Sequence, residues 1–462
     1  MTPGGTGDAR PQHPFEVRHR DIWRIALPAC LAFVTEPLAG IVDTTVIGRL
    51  GDAGLLAGLS IGAVAFNTLF ALAFFLRFGT AGLTAQAIGA RDPLDGLYHL
   101  VRAFVFALLL GFVALVFAGP ILAGFEAWFN PPPGAAPAFS DYYKVRMASV
   151  PFVLVNFVLL GWFYGRARAM TGLLLQMVIN VVNIVLSVGF VHGLGWGVPG
   201  VALATVLAQV CATVLGLVLV LRHYGGPGRL RGALSLDRLA EMAALRRMLA
   251  LSRDLTIRSL ALNGVFAYFT AEAGRQGDAA LAAVGVLMQL TGFATFLLDG
   301  IATAVEQLSG RAVGANWRPA FETSIRLSFL WGAFLSVALC AAIFGIGGLG
   351  IDAISTSEEV RDVARRYLVM AAIVPLTGMP AYLLDGVMIG ATLNTVMRNG
   401  MLASAAVFLA FAWVLEPSLQ IWGLWIAFHA MLLARAAIYA LWIARQRDSL
   451  FTAPDVSARP AR

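Results

Sequence analysis

The sequence predicts an all-α integral membrane protein with twelve transmembrane helices in two pseudo-symmetric six-helix lobes. Three observations predict it. The chain is too poor in charge to face water on all sides. Apolar stretches long enough to cross a bilayer recur from end to end. Landmarks of the first half also return in the second at a nearly constant distance.

Of the 462 residues, 59% are hydrophobic and 13% are charged, and the mean hydropathy is +0.79. A soluble globular chain carries roughly 25% charged residues. Half that share marks a membrane protein throughout and excludes a soluble domain on a single anchor. The net charge of +7 comes from arginine, since Lys144 is the only lysine. These arginines sit mainly in short loops, which points to topology and away from nucleic acid as a partner. Cys30, Cys211 and Cys340 fall inside apolar segments, with no disulfide framework and no CxxC motif. They read as small buried hydrophobes. Residues 1–20 form a polar, Pro/Gly-rich tail, and the apolar stretch after them is too long for a signal-peptide core.

A run of about 20 apolar residues crosses a bilayer as a helix, which satisfies its own backbone. Spans are expected near 22–47, 55–80, 98–123, 141–165, 171–191 and 200–221, then near 251–273, 280–307, 321–347, 364–389, 397–415 and 421–444. Some exceed 25 residues, so tilt or projecting ends are expected. Arginine sets the orientation. The N-terminal flank, the even loops, the linker and the C-terminal tail are rich in it, whereas 130–140 and 192–199 have none. Both termini are therefore expected in the cytoplasm. The domains follow: a tail over 1–20, a lobe over 21–221, a cytoplasmic linker over 222–250, a second lobe over 251–445 and a tail over 446–462. Within the linker, Leu236, Leu239, Met242 and Leu245 have the spacing of an amphipathic surface helix.

The halves match at an offset near 225. Gly89-Ala90 returns as Gly314-Ala315, and Thr84-Ala85-Gln86 lines up with Ser309-Gly310-Arg311. Gly51-Asp52 matches Gly277-Asp278, Pro151 matches Pro375, and Gly165 matches Gly390. Gly200 and Ala204 match Gly423 and Ala427. Six spans per half is an even number, so both halves enter the membrane in the same direction. They are then related by an axis along the membrane normal, an architecture suited to alternating access.

An ionisable group inside a bilayer is costly and marks function by default. Asp43, in the GIVDTTVIG segment, leads the candidates. Burial disfavours its charged form, so it can take up and release a proton near physiological pH, or hold Na⁺ with nearby amide and hydroxyl oxygens. Asn156, Asn180, Asn183 and Thr205 are either interhelical hydrogen-bond partners or supports for Asp43. Asn183 and Ser187 are four apart and share a helix face. Asp299 and Glu306, two turns apart, and Asp385 make a second candidate set. Arg253 and Arg258 are candidate ion partners for Asp299 and Glu306. Glu36 lies beside Pro37 in the first span, and Arg77 is a mid-span arginine. There is no nucleotide-binding loop, no HExxH and no His/Cys cluster with metal spacing. No enzymatic activity and no cofactor are expected, and work would come from an ion gradient.

The segments IALPACLAFVTEPLAGIVDTTVIGRLG (25–51), FLRFGTAGLTAQAIGARD (75–92), LSRDLTIRS (251–259), LLDGIATAVEQLSGRAVGA (297–315) and YLLDGVMIGAT (382–392) carry a resemblance. Over roughly 21–445 the chain resembles the multidrug and toxic compound extrusion family, in its DinF-like branch. The resemblance implies H⁺- or Na⁺-driven antiport of amphipathic, often cationic small molecules by a monomer in the bacterial inner membrane. It assigns ion coupling to Asp43 within a polar network of Asn156, Asn183 and Thr205, and it matches Asp385 to a tenth-helix aspartate. A second carboxylate found on the fifth helix of relatives is replaced here by Ser187, which favours protons over Na⁺. Two other readings stand beside it: a lipid-linked precursor flippase, and a channel or scaffold.

Overall fold

The structure, a computed structural model, describes residues 11–451, and every described element is a helix. The chain opens with α1 (His19–Gly48), α2 (Ala53–Ala71), α3 (Phe75–Gly89), α4 (Pro93–Val116) and α5 (Ala118–Phe129). It continues with α6 (Ala136–Met147), α7 (Val150–Gly165), α8 (Ala169–Val188), a π-helical turn (Gly189–Gly193) and α9 (Gly197–His223). Two short helices follow, α10 (Pro227–Ala233) and α11 (Leu236–Leu239). The rest is α12 (Met242–Arg275), α13 (Asp278–Gly314), α14 (Arg318–Ile354), α15 (Glu358–Gly390), α16 (Asn394–Leu419), α17 (Ile421–Gln446) and a closing 3-10 turn (Arg447–Leu450).

Ten helical stretches among the described residues are long and apolar enough to cross a membrane, and an eleventh is the α6–α7 pair, bent by 54°. The helix α12 makes the twelfth. It falls short on composition because its apolar part carries Arg258, Asn263 and Glu272. The second expected span is longer than the sequence indicates: α2 and α3 together form one apolar stretch, Ala53–Gly89. At 37 residues each, α13 and α14 are about 55 Å long at 1.5 Å per residue. That exceeds a hydrocarbon core of roughly 30 Å, so their ends project. Large apolar side chains face outward along the spans, among them Phe112, Phe334, Leu349 and Trp413, the last 79% exposed. In water such a surface would aggregate; against lipid it is the expected one. Cys211 also faces outward, while Cys30 is buried.

By contact the chain forms two compact units. The N unit holds Arg24–Thr84 and Leu97–Leu260. The C unit holds the described residues up to Trp23, Ala85–Gly96, and the described residues from Ala261 on. The core of the C unit is aromatic, with Phe269, Phe408, Trp425 and Phe428 in contact.

The internal repeat shows in backbone geometry that composition cannot reveal. Four of the six described non-glycine residues with positive φ pair off at the offset of 225: Arg91 (φ 57) with Asn316 (φ 50), and Ala167 (φ 55) with Thr392 (φ 55). Left-handed glycines precede α2 and α13 at matching places, Gly51 (φ 77) and Gly277 (φ 114). Such conformations cost free energy outside glycine, so their recurrence in register marks the same local fold made twice. Packing repeats too. Gly161 of α7 lies against the Arg77 carbonyl of α3, and Gly386 of α15 lies against the Ala302 carbonyl of α13. A Cβ at either glycine would run into that backbone, so small residues let the helices approach closely.

The linker departs from the expected single helix. Leu236–Leu239 stops after one turn at Ala240, and α12 starts at Met242 and runs on into the next span. Leu236 is exposed and does not pack against the rest of the protein. The segment is held instead by polar groups of α4. The buried Arg102 donates to the carbonyls of Arg238 and Leu239 and lies 3.7 Å from Glu241. The Tyr98 hydroxyl accepts from the Ser235 N–H at 3.0 Å. Arg102 thus satisfies carbonyls that the end of α11 leaves open. Arg102→Ala is expected to cost about 1.5–3 kcal/mol, the range for charge-assisted hydrogen bonds. A lower thermal midpoint and faster proteolysis within 222–241, with substrate preference unchanged, is the expected outcome.

Candidate ion-coupling site

The carboxylate of Asp43 lies late in α1 and is buried against α8. The Ser187 hydroxyl of α8 donates to Asp43 Oδ1 at 2.7 Å. One turn earlier on α8, Asn183 donates through Nδ2 to Thr205 Oγ1 of α9 at 2.9 Å. Thr205 in turn donates to the Val201 carbonyl at 3.1 Å. The four-residue spacing of Asn183 and Ser187 therefore does what the sequence indicates: both reach the same polar seam. The Asn183 Oδ1 atom is buried and has no hydrogen-bond partner among the described residues. Two further groups act on the charge of Asp43, Asn183 and the Arg146 guanidinium of α6. Arg146 stands over the rings of Phe66 and Phe70.

Asn156 belongs to a different network. It donates to Gln209 Oε1 at 2.7 Å and to the Gln209 carbonyl at 3.0 Å, and it accepts from the Thr213 hydroxyl at 3.0 Å. These bonds tie α7 to α9. Asn180 is interhelical too: it donates to the Thr35 carbonyl at 2.7 Å, two residues before Pro37. A proline inside a helix removes one backbone hydrogen bond, so this stretch of α1 is a natural place for a side chain from α8 to attach.

The N unit also holds a small cavity of about 30 Å³, room for about one water. Its walls include Phe33 and Glu36 of α1, Phe157 and Tyr164 of α7, and Arg77 of α3. The Arg77 guanidinium lies 4.6 Å from the Phe33 ring centre and 5.2 Å from that of Tyr164. Its walls are aromatic with a few polar groups, the lining chemistry common to small-molecule sites.

In the C unit the second set of acids divides. Asp299 and Asp385 both act on the Tyr382 phenol, which also bonds Thr295. Glu306 is buried further along α13. Asp385 is paired: its Oδ2 lies 3.8 Å from Arg435 Nη2 of α17. Arg253 pairs with Asp254, its neighbour on α12, at 3.1 Å. Sequence reasoning missed Arg435, Gln209, Thr213 and Arg146. The signal was present for Arg435, an arginine inside the apolar run AMLLARAAIYA.

The family model MatE matches residues 28–188 and again 255–414, one match in each half. The chain belongs to the MatE family. This MatE chain is 36% identical over 450 residues to DNA damage-inducible protein F of Escherichia coli K12, covering 94% of each chain. It is 20% identical over 443 residues to the multidrug export protein MepA of Staphylococcus aureus, covering 92% of this chain and 94% of MepA. Among solved structures, a crystal structure of MATE in the bent conformation superposes with a TM-score of 0.84 at 20% identity, covering 93% of this chain and 96% of that one. A MOP superfamily transporter from Pyrococcus furiosus, reported with reversed polarity of its binding pocket, reaches 0.83 at 19% identity over 94% of this chain and 97% of that one. The twelve-helix, two-lobe fold of this MatE chain agrees with both.

Proposed function

We propose that the chain is a proton-coupled antiporter that exports amphipathic, often cationic small molecules across the bacterial inner membrane. The observation that carries the proton assignment is the Ser187–Asp43 hydrogen bond: where a Na⁺ site would gain from a second acid, the carboxylate is met by a neutral hydroxyl. Protonation neutralises Asp43, weakens the hold of Ser187 and Arg146 on it, and lets α1 repack beside Pro37. Phe33 and Glu36, which line the small cavity together with Arg77 of α3, lie on the same helix as Asp43, so a movement of α1 changes the walls that meet substrate. Loss of the proton restores the binding form, and the two ligands alternate. Export is supported by the multidrug export relative. The arginine-rich loops support a cytoplasmic side for both termini and the linker, and the proposed unit of transport is a monomer. A flippase for lipid-linked pyrophosphate would call for several cations along the cavity; among the lining residues Arg77 is the only basic one, and Glu36 faces the same space.

The test is dye efflux from proteoliposomes with a pH gradient and a Na⁺ gradient imposed separately. Efflux is expected with the pH gradient alone. Efflux on Na⁺ at fixed pH, with none on a pH gradient, would reassign the ion.

A further inference from the structure

The unexpected charge in the C unit is Arg435. It sits mid-way along α17, and its side chain is 1% exposed. A guanidinium does not give up its proton inside a protein, so a buried one demands a counter-charge. Three groups surround it. Asp385 Oδ2 of α15 lies 3.8 Å from Nη2. Met401 Sδ of α16 accepts from Nη1 at 3.5 Å. The ring of Tyr382, also on α15, is 5.7 Å from the guanidinium carbon. From α13, Asp299 and Thr295 face the same phenol. Sulfur and a ring face cannot neutralise a cation; the carboxylate can.

We propose that Arg435 is a built-in counter-cation for Asp385. Its guanidinium takes the place a coupling cation would need and ties α17 to α15, so Asp385 is a structural anion and not a transport site. A carboxylate that binds Na⁺ must present an open shell of oxygen donors. Here a fixed positive charge stands within 4 Å of the oxygen and repels a second cation. The repeat gives independent support. The position matching Asp385 at the offset of 225 is Leu160, and the one matching Arg435 at the last-span offset of 223 is Ala212. Both charges are thus missing together from the other half. Partners that compensate one another behave this way, whereas a lone ion-binding acid would have no need of the arginine. That ion coupling then falls to Asp43 rests on the function proposed above; the pairing of Arg435 with Asp385 does not.

The experiment uses the purified full-length chain in an Asp43→Asn background, which silences the N unit. Thermal midpoints are read in NaCl and in choline chloride for this background, for added Arg435→Met, for added Asp385→Asn and for both together. The background is expected to show no Na⁺-specific shift. Arg435→Met is expected to lower the midpoint by about 5 °C or more and to create a Na⁺-specific stabilisation at the bared carboxylate. Asp385→Asn also lowers the midpoint, and the double variant recovers most of the loss without responding to Na⁺. If either single variant fails to fold, recovery in the double variant supports the pair, and failure of the double variant as well overturns it. A Na⁺-specific shift already present in the background, lost in Asp385→Asn and kept in Arg435→Met, would make Asp385 a cation site and refute the proposal. An unchanged midpoint in Arg435→Met would do the same.

Discussion

Efflux driven by a pH gradient is expected to fall by about 100-fold in Asp43→Asn, the upper range of a coupling free energy of 1–3 kcal/mol. The substitution keeps the shape of the side chain and its capacity to accept from Ser187, so α1 and α8 stay joined at the 2.7 Å contact. What it removes is titration. Substrate binding in detergent should persist, because the cavity walls at Phe33, Phe157, Tyr164 and Arg77 are untouched. It should also lose its pH dependence. In the wild-type chain one carboxylate should give a single apparent pKa for substrate binding, since Ser187 does not titrate in this range. Efflux at the wild-type rate in Asp43→Asn would move coupling to another acid.

The second large effect is structural. Gly314→Leu is expected to abolish accumulation of folded protein. A Cβ at position 314 would collide with the Gln86 carbonyl at the end of α3, and in the matching contact a Cβ at Gly89 would collide with the Arg311 carbonyl. Both contacts lie within the C unit. The obstacle is backbone on each side, so no rotamer change relieves it, and overpacking of this kind costs about 1–3 kcal/mol or more. Gly285→Leu, on the same helix, is the control: nothing stands within 4 Å of its Cβ position, and it should express normally. A monodisperse Gly314→Leu protein with a wild-type midpoint would show that the close approach is not needed.

The glycines also show what was legible in advance. The pairs Gly89/Gly314 and Gln86/Arg311 were visible as repeat landmarks, because a tandem copy keeps its spacing in the sequence. That these four residues contact one another was not visible, since spacing says nothing of which copies touch. Spans were legible because a bilayer demands long apolar helices, and the span of α12 was legible by its length although it carries polar residues. The site was legible in part. Asp43 stood out as a charge in an apolar run, and the Asn183–Ser187 face followed from helical periodicity. The place of Asn156 was not legible. Gln209 and Thr213 are nearby polar residues on α9, and only the rotation of α7 against α9 decides that Asn156 meets them. Nor could spacing show that the acid at 385 already has a cation, because Arg435 lies fifty residues downstream on another helix.

The most direct test of the central claim is proton release on substrate binding. The purified protein in weakly buffered detergent, held at a pH where the isolated protein is partly protonated, is mixed with a cationic dye while pH is recorded. If substrate and proton compete through Asp43, dye binding should release close to one proton per chain at most, and Asp43→Asn should bind dye and release none. The same release from Asp43→Asn, or dye binding to the wild-type chain with no release at any pH between 5 and 9, would contradict it.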